Sequence, residues 1–313
     1  MAATGNTDAA TDRVGPPRIH RHQWLVVLRA ATRTRRGAIG LSVALGVVLL
    51  TVIGPFLAPH SATAFVTGPF APPSSEAWLG GDVLGRDVLS RVLDGGWLLL
   101  VIATAATLLG VAVGAIAGIS AAYFKGWYDG LIMRAVDVIL AFPAIVFALL
   151  LVSVAGPHLW LLVVAVAVTH APQVARVLRS AALDICEKDY VKAVELIKVR
   201  PRTIIRREIL PNLVTPLMVE CGMRLTWSIV IISGLSFIGL GLQPPTPNWG
   251  LMLNENRVGL VGNPWSVLAP ALCIVLLTIG TNVFSDAIAR VSIGVDRWSG
   301  RATPVNDIRK AAS

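Results

Sequence analysis

Six apolar blocks along this chain are each long enough to cross a bilayer: Ala38–Ala58, Leu98–Phe124, Leu131–Gly156, Leu159–Val177, Leu213–Gly239 and Trp265–Ala287. A helical span needs about 20 mostly apolar residues, because the hydrocarbon layer is about 30 Å thick. Barrel strands would alternate polar and apolar positions instead. The pattern predicts an all-α membrane protein with six transmembrane helices. Residues 1–17 are rich in Ala, Thr and Gly, show no period, and read as disordered. Ile19–Arg36 interleaves arginines with Trp24, Leu25, Val26, Val27 and Leu28, and reads as an interfacial amphipathic helix. Pro59–Ser75 reads as a loop from its Pro, Ser and Gly content. Asp87–Asp94 turns helical ahead of the second span.

Composition agrees with the pattern. Hydrophobic residues make up 55% of the chain and charged residues 14%, against about 25% charged in soluble proteins. The net charge of +9 could suggest nucleic acid, but its distribution excludes that reading. Arg13, Arg18, Arg21, Arg29, Arg33, Arg35 and Arg36 precede the first span. Arg176, Arg179, Lys188, Lys192, Lys198, Arg200, Arg202, Arg206 and Arg207 lie at the end of the fourth span or between it and the fifth. Arg290, Arg297, Arg301, Arg309 and Lys310 follow the sixth. Positive charge is retained on the cytoplasmic side of a membrane, which places both termini and the basic loop inside the cell. The expected division is a tail over 1–37, a first span over 38–58, an extracytoplasmic segment over 59–97, a five-helix body over 98–290 with a cytoplasmic loop over 178–212, and a tail over 291–313. Cys186, Cys221 and Cys273 are read as structural: one falls on the reducing side and two inside spans.

Polar residues inside spans carry the candidate chemistry. Arg134 and Asp137 are three apart, and Glu220 and Arg224 four apart, so each pair can meet on one helix face and neutralise itself. His170 has no second ligand nearby in sequence, so no metal site is expected. Pro143 and Pro172 are expected to kink their helices or leave backbone groups to neighbours. Gly110, Gly114 and Gly118, four apart, allow close helix approach, either within the chain or at a subunit interface. Gly80–Asp87 imitates a P-loop, but Arg86 and Asp87 stand where lysine and a hydroxyl are needed. No nucleophile has a matched base, so the chain is not expected to be an enzyme and needs no cofactor. A self-contained secondary transporter would show inverted repeats or ion-coupling residues, and neither is clear.

The segment Asp189–Asn212 is a basic, helix-prone island between two apolar blocks. Its Asp189-Tyr190-Val191 opening, its amphipathic helix and its Leu210-Pro211-Asn212 close resemble the EAA loop of ABC-importer permeases. Four more stretches resemble the C-type permease subunit of dipeptide/oligopeptide importers (DppC/OppC-like): Leu79–Arg91, Met133–Pro143, Leu235–Gly250 and Asn282–Asp286. The match runs over Leu79–Asp286. It implies a type I importer permease (MetI-like) fold in a bacterial plasma membrane, with residues 98–290 as the ABC transmembrane domain. It also implies these partners: a second permease subunit of the B type (DppB/OppB-like), two ATPase subunits or domains, an extracytoplasmic solute-binding lipoprotein, and membrane lipids. The substrate implied is a peptide, although related permeases carry nickel and other solutes. The ATPase-coupling residues carried over are Asp189, Tyr190, Lys192, Ala193, Val194, Lys198, Leu210, Pro211 and Asn212. Ala193 is expected on the buried face of the first short helix. Lys192, Val194, Lys198 and Glu208 depart from the family's usual residues. Because Lys198 replaces a glycine, the turn is expected to be remade around Arg200-Pro201. Pro211 is expected in a first helical turn, with Asn212 bonding to nearby backbone.

Overall fold

The computed structural model describes residues 23–156 and 158–299. The tail read as disordered and the basic residues Arg13, Arg18, Arg21, Arg301, Arg309 and Lys310 lie outside the described residues. Among those described, the regular structure is helical, apart from isolated bridges between Phe65 and Arg86 and between Gly81 and Asp87.

The chain opens with α1 (Gln23–Arg33) and α2 (Arg35–Leu57). Thr34 caps α2 by accepting from the Gly37 N–H at 3.0 Å. Next come α3 (Val88–Asp94), capped by Asp87, and α4 (Trp97–Phe124). They are followed by α5 (Gly126–Leu140), α6 (Ala144–Ala155) and α7 (Leu159–Cys186). The short α8 (Asp189–Leu196) and α9 (Pro201–Ile204) lead to α10 (Val214–Phe237). The chain then forms α11 (Trp249–Asn256) and α12 (Trp265–Ser299).

Five of the expected spans are long apolar helices. The third is broken: α5 and α6 meet at 85°. Pro143 lacks an N–H and takes extended backbone (ψ 129°), so it starts α6 anew instead of continuing α5. Pro172, in contrast, stays inside an uninterrupted α7.

The glycine stripe packs within the chain. A Cβ at Gly110, Gly114 or Gly118 would fall 2.9, 2.5 or 2.3 Å from the carbonyl oxygen of Ala167, Ala171 or Ala175. Two small-residue ladders, each with a period of four, therefore press α4 onto α7. The first span is peripheral. It rests on α12 where Gly40 approaches Phe284 and Gly280 approaches Ala44, and it leaves Ile39, Leu45, Leu49, Val52 and Ile53 exposed. One end of the bundle carries the segment before α4 and the segment around α11. The other end carries α1, α8, α9 and the close of α12, where Val27 and Ala31 pack on Ala287 and Ile288.

Candidate functional site

The loop after α7 is packed on one face and open on the other. Asp189 begins α8, where a carboxylate suits the positive end of the helix. Val191 is fully buried in a cluster with Ile185, Ile204, Ile209 and Leu213. Ala193 is exposed, contrary to the expectation from sequence, because the single inward stripe of an eight-residue helix is taken by Val191 and half-buried Val194. With Ala193 on the open face are Lys192, Leu196 (83% exposed) and Ile197 (72% exposed). Lys198 itself takes the left-handed conformation at φ 58°, so the turn is not remade further on. A non-glycine residue there costs roughly 1–2 kcal/mol. Arg200 then extends, and Pro201 opens α9.

From α9 the backbone passes through a π-turn over Ile205–Ile209 and a 3-10 turn over Leu210–Leu213 before α10. Pro211 sits in the first turn of that 3-10 piece and has no N–H to donate, which accords with the change of register. The Asn212 side-chain amide donates to the Glu208 carbonyl at 2.6 Å and to the Tyr190 hydroxyl at 3.3 Å. Burial, reinforced by the Glu208 charge, raises the Tyr190 pKa above its ordinary value, so the phenol stays neutral. The first and last parts of the loop are thereby joined.

The intramembrane polar residues divide into two cases. Arg224 Nε donates to Glu220 at 3.1 Å, as its spacing predicts, and the same guanidinium reaches Gln173 on α7. Arg134 and Asp137 do not pair. Asp137 accepts from Arg176 of α7 at 2.6 Å, while Arg134 is exposed. One turn further along α7, Arg179 grips Asp129 through two bonds of 2.5 Å. These cross-helix partners win because α5 lies against α7 and an arginine fork reaches a carboxylate on the neighbouring helix. His170, only 2% exposed, is a satisfied core residue: Ser228 Oγ lies 2.9 Å from its Nε2 and 2.9 Å from Thr107 Oγ1. Among the described residues no cluster of three or more His, Cys, Asp or Glu could hold a metal.

A further constellation, at the end opposite α8, escaped the sequence reading. Arg86 Nε donates to Asp82 at 2.7 Å, and Arg91 donates to the same carboxylate. Both guanidinium groups also donate to Glu255 of α11, at 3.1 and 2.9 Å. Burial pushes the Asp82 pKa up, but the Arg86 N–H, the Arg91 guanidinium, the Leu84 N–H and the Arg86 guanidinium outweigh it. The group lies below its ordinary value. Asn256 accepts from the Val83 N–H at 2.9 Å, and Asn263 donates to the Leu79 and Gly81 carbonyls at 2.8 and 3.0 Å. Trp249, fully buried, donates its indole N–H to Val92 at 2.8 Å. The P-loop-like stretch is thus bound to the segment around α11, with Arg86 committed to two carboxylates. The one sequence signal was the density of charge in Asp82–Arg91; nothing local pointed to Glu255.

The pattern of the family described as binding-protein-dependent transport system inner membrane component matches residues 110–292. The chain is 38% identical over 265 residues to the glutathione transport system permease protein GsiD of Escherichia coli O6:K15:H31 (strain 536 / UPEC), covering 82% of this chain and 86% of that protein. The GsiD protein of Shigella boydii serotype 4 (strain Sb227) matches with the same identity and coverage. Among solved structures, a chain of the inward-facing MetNI methionine ABC transporter (CY5 SeMet soak crystal form) superposes with a TM-score of 0.53. That match has 17% identity and covers 64% of this chain and 96% of that one, a likeness of fold. The chain therefore belongs to the family of binding-protein-dependent transport system inner membrane components, as a multi-pass, non-catalytic permease subunit of an ABC importer.

Proposed function

We propose that this chain forms half of a translocation pathway for di- or oligopeptides and is driven through Asp189–Asn212 by a separate ATPase. A B-type permease subunit forms the other half, two ATPases seat on the basic end, and a solute-binding lipoprotein delivers peptide at the opposite end. Both termini lie in the cytoplasm with the basic loop. The observation that carries the reading is the two-sidedness of α8. Val191 and the Tyr190–Asn212 contact hold one face to α7 and α10, while Ala193, Leu196 and Ile197 are left exposed among lysines. Exposed apolar groups rimmed by charge suit a soluble partner's cleft. A helix held this way moves its two spans as bodies when the partner closes. The resemblance to GsiD, a glutathione permease protein, supports a peptide cargo, since glutathione is itself a short peptide.

Reconstituted complexes test the reading. Ala193→Asp is expected to abolish substrate-stimulated ATP hydrolysis and weaken ATPase capture, with membrane insertion and ligand binding by the delivery protein intact. Coupled hydrolysis at the wild-type rate would overturn the assignment of the loop. A change confined to substrate preference would do so too.

A further inference from the structure

A cavity of about 560 Å³ opens between the start of α2 and the C-terminal half of α12, well away from α8 in sequence. Arg35 and Arg36 line it from α2; Asp286 and Arg290 line it from α12, and Val283 and Ala287 form part of its apolar wall. All three arginines are exposed, and none meets a carboxylate at ion-pair distance among the described residues. Thr34, also in the lining, is occupied as the cap of α2, accepting from Gly37 and donating to Ala31 at 2.8 Å.

The position of the cavity identifies its occupant. The apolar run of α2 starts at Gly37–Ile39, directly after the two arginines, so the cavity lies where hydrocarbon gives way to headgroups. Farther along, both helices expose apolar side chains, among them Ile39 and Leu45 on α2 and Leu276 and Ile279 on α12. Beside the cavity, α1 buries Val27 and Ala31 against α12 while leaving Leu25, Val26, Arg29 and Arg33 exposed, the pattern of a helix lying in the interface. A guanidinium fork matches phosphate oxygens, and basic pockets between spans at this depth suit acidic lipid headgroups. Asp286 sets a condition: it opposes a bare, highly charged anion but can accept from a hydroxyl.

We propose that this cavity binds the headgroup of an anionic phospholipid. Arg35, Arg36 and Arg290 hold the phosphate, and Asp286 accepts from a headgroup hydroxyl such as those of phosphatidylglycerol. The acyl chains run along the exposed faces of α2 and α12, and the lipid fastens the peripheral first span to the body.

Native mass spectrometry of the full-length chain in detergent, titrated with phosphatidylglycerol or with phosphatidylcholine of equal chain length, tests this. The wild type is expected to retain phosphatidylglycerol preferentially. Arg35→Gln/Arg36→Gln/Arg290→Gln should reduce that retention about tenfold or more, given that each basic residue near an anionic surface contributes about 1 kcal/mol. The matching lysine variant, which keeps charge, should still prefer phosphatidylglycerol over phosphatidylcholine. Arg202→Gln/Arg206→Gln/Arg207→Gln, which removes the same charge elsewhere on this end, should leave retention unchanged. Equal loss in both glutamine variants would overturn the site, as would no preference between the two lipids. Displacement of the lipid by millimolar inorganic phosphate would assign the cavity to a soluble anion instead. Loss of retention only when a purified ATPase is added would make it a protein contact.

Discussion

The Asn212 side-chain amide and the Tyr190 hydroxyl meet at 3.3 Å across 22 residues of chain, and the same amide donates to Glu208 at 2.6 Å. The contact holds α8 against the entry to α10; in the coupling proposed above, it would pass displacement of α8 to two spans at once. Asn212→Ala should cost about 0.5–1.5 kcal/mol, the usual net value of an intramolecular hydrogen bond. It should also lower the ratio of transport to ATP hydrolysis in reconstituted complexes. Tyr190→Phe should have a smaller effect on stability, because the shorter bond to Glu208 survives. An unchanged coupling ratio in Asn212→Ala would remove this contact from the transmission path.

Leu196 and Ile197 contribute little to the packing of the isolated subunit, being 83% and 72% exposed. Replacing both with serine should leave its thermal stability within about 0.5 kcal/mol of wild type. The same change should weaken capture of the ATPase in detergent pull-downs. Full capture would mean that the open face of α8 is not the seat.

The Glu220–Arg224 pair is largely buried and shared with Gln173. Glu220→Ala alone should destabilise by about 3–5 kcal/mol, because Arg224 is left with poor solvation. Glu220→Leu/Arg224→Met should cost less, as neither charge remains. Denaturant titration of the two variants decides the point; a double change clearly worse than the single one would mean that the two charges do not offset each other.

The Asp82 pKa lies below its ordinary value of 3.8, so its charged form is favoured in the folded state. That stability is fully present above the ordinary value and is lost as pH falls through the folded one. Thermal unfolding in detergent should therefore show this contribution unchanged from pH 7 to pH 5 and falling only in strong acid. Asp82→Asn should destabilise by about 3 kcal/mol, with Glu255 still neutralising part of the two arginines. It should also remove that part of the acid dependence.

A cysteine introduced at exposed Ser75, in a chain cleared of reactive native thiols, should react with a membrane-impermeant reagent in intact cells. A cysteine in the 189–212 loop should react only after permeabilisation. The reverse result would invert the topology derived from the basic residues.

Much of this protein is decided by terms that act over a few residues and can be read directly along the chain. The length of each apolar block sets the spans. The four-residue spacing of Gly110, Gly114 and Gly118 sets a close-packing face, and the spacing of Glu220 and Arg224 sets a pair on one helix. The Leu-Pro-Asn close of the loop marks the entry to α10, since proline's missing N–H and asparagine's short amide act on their own backbone. The tertiary structure alone decided the rest. Whether Asp137 meets Arg134 or Arg176 depends on how α5 lies against α7 after the bend at Pro143. Arg86 and Arg91 find Glu255 at separations of 169 and 164 residues, which no local pattern encodes. The face on which Ala193 lies followed from Val191 filling the one inward stripe of α8. In each case several partners were compatible with the local sequence. The choice among them was made by which helices could pack closely enough to exclude the others.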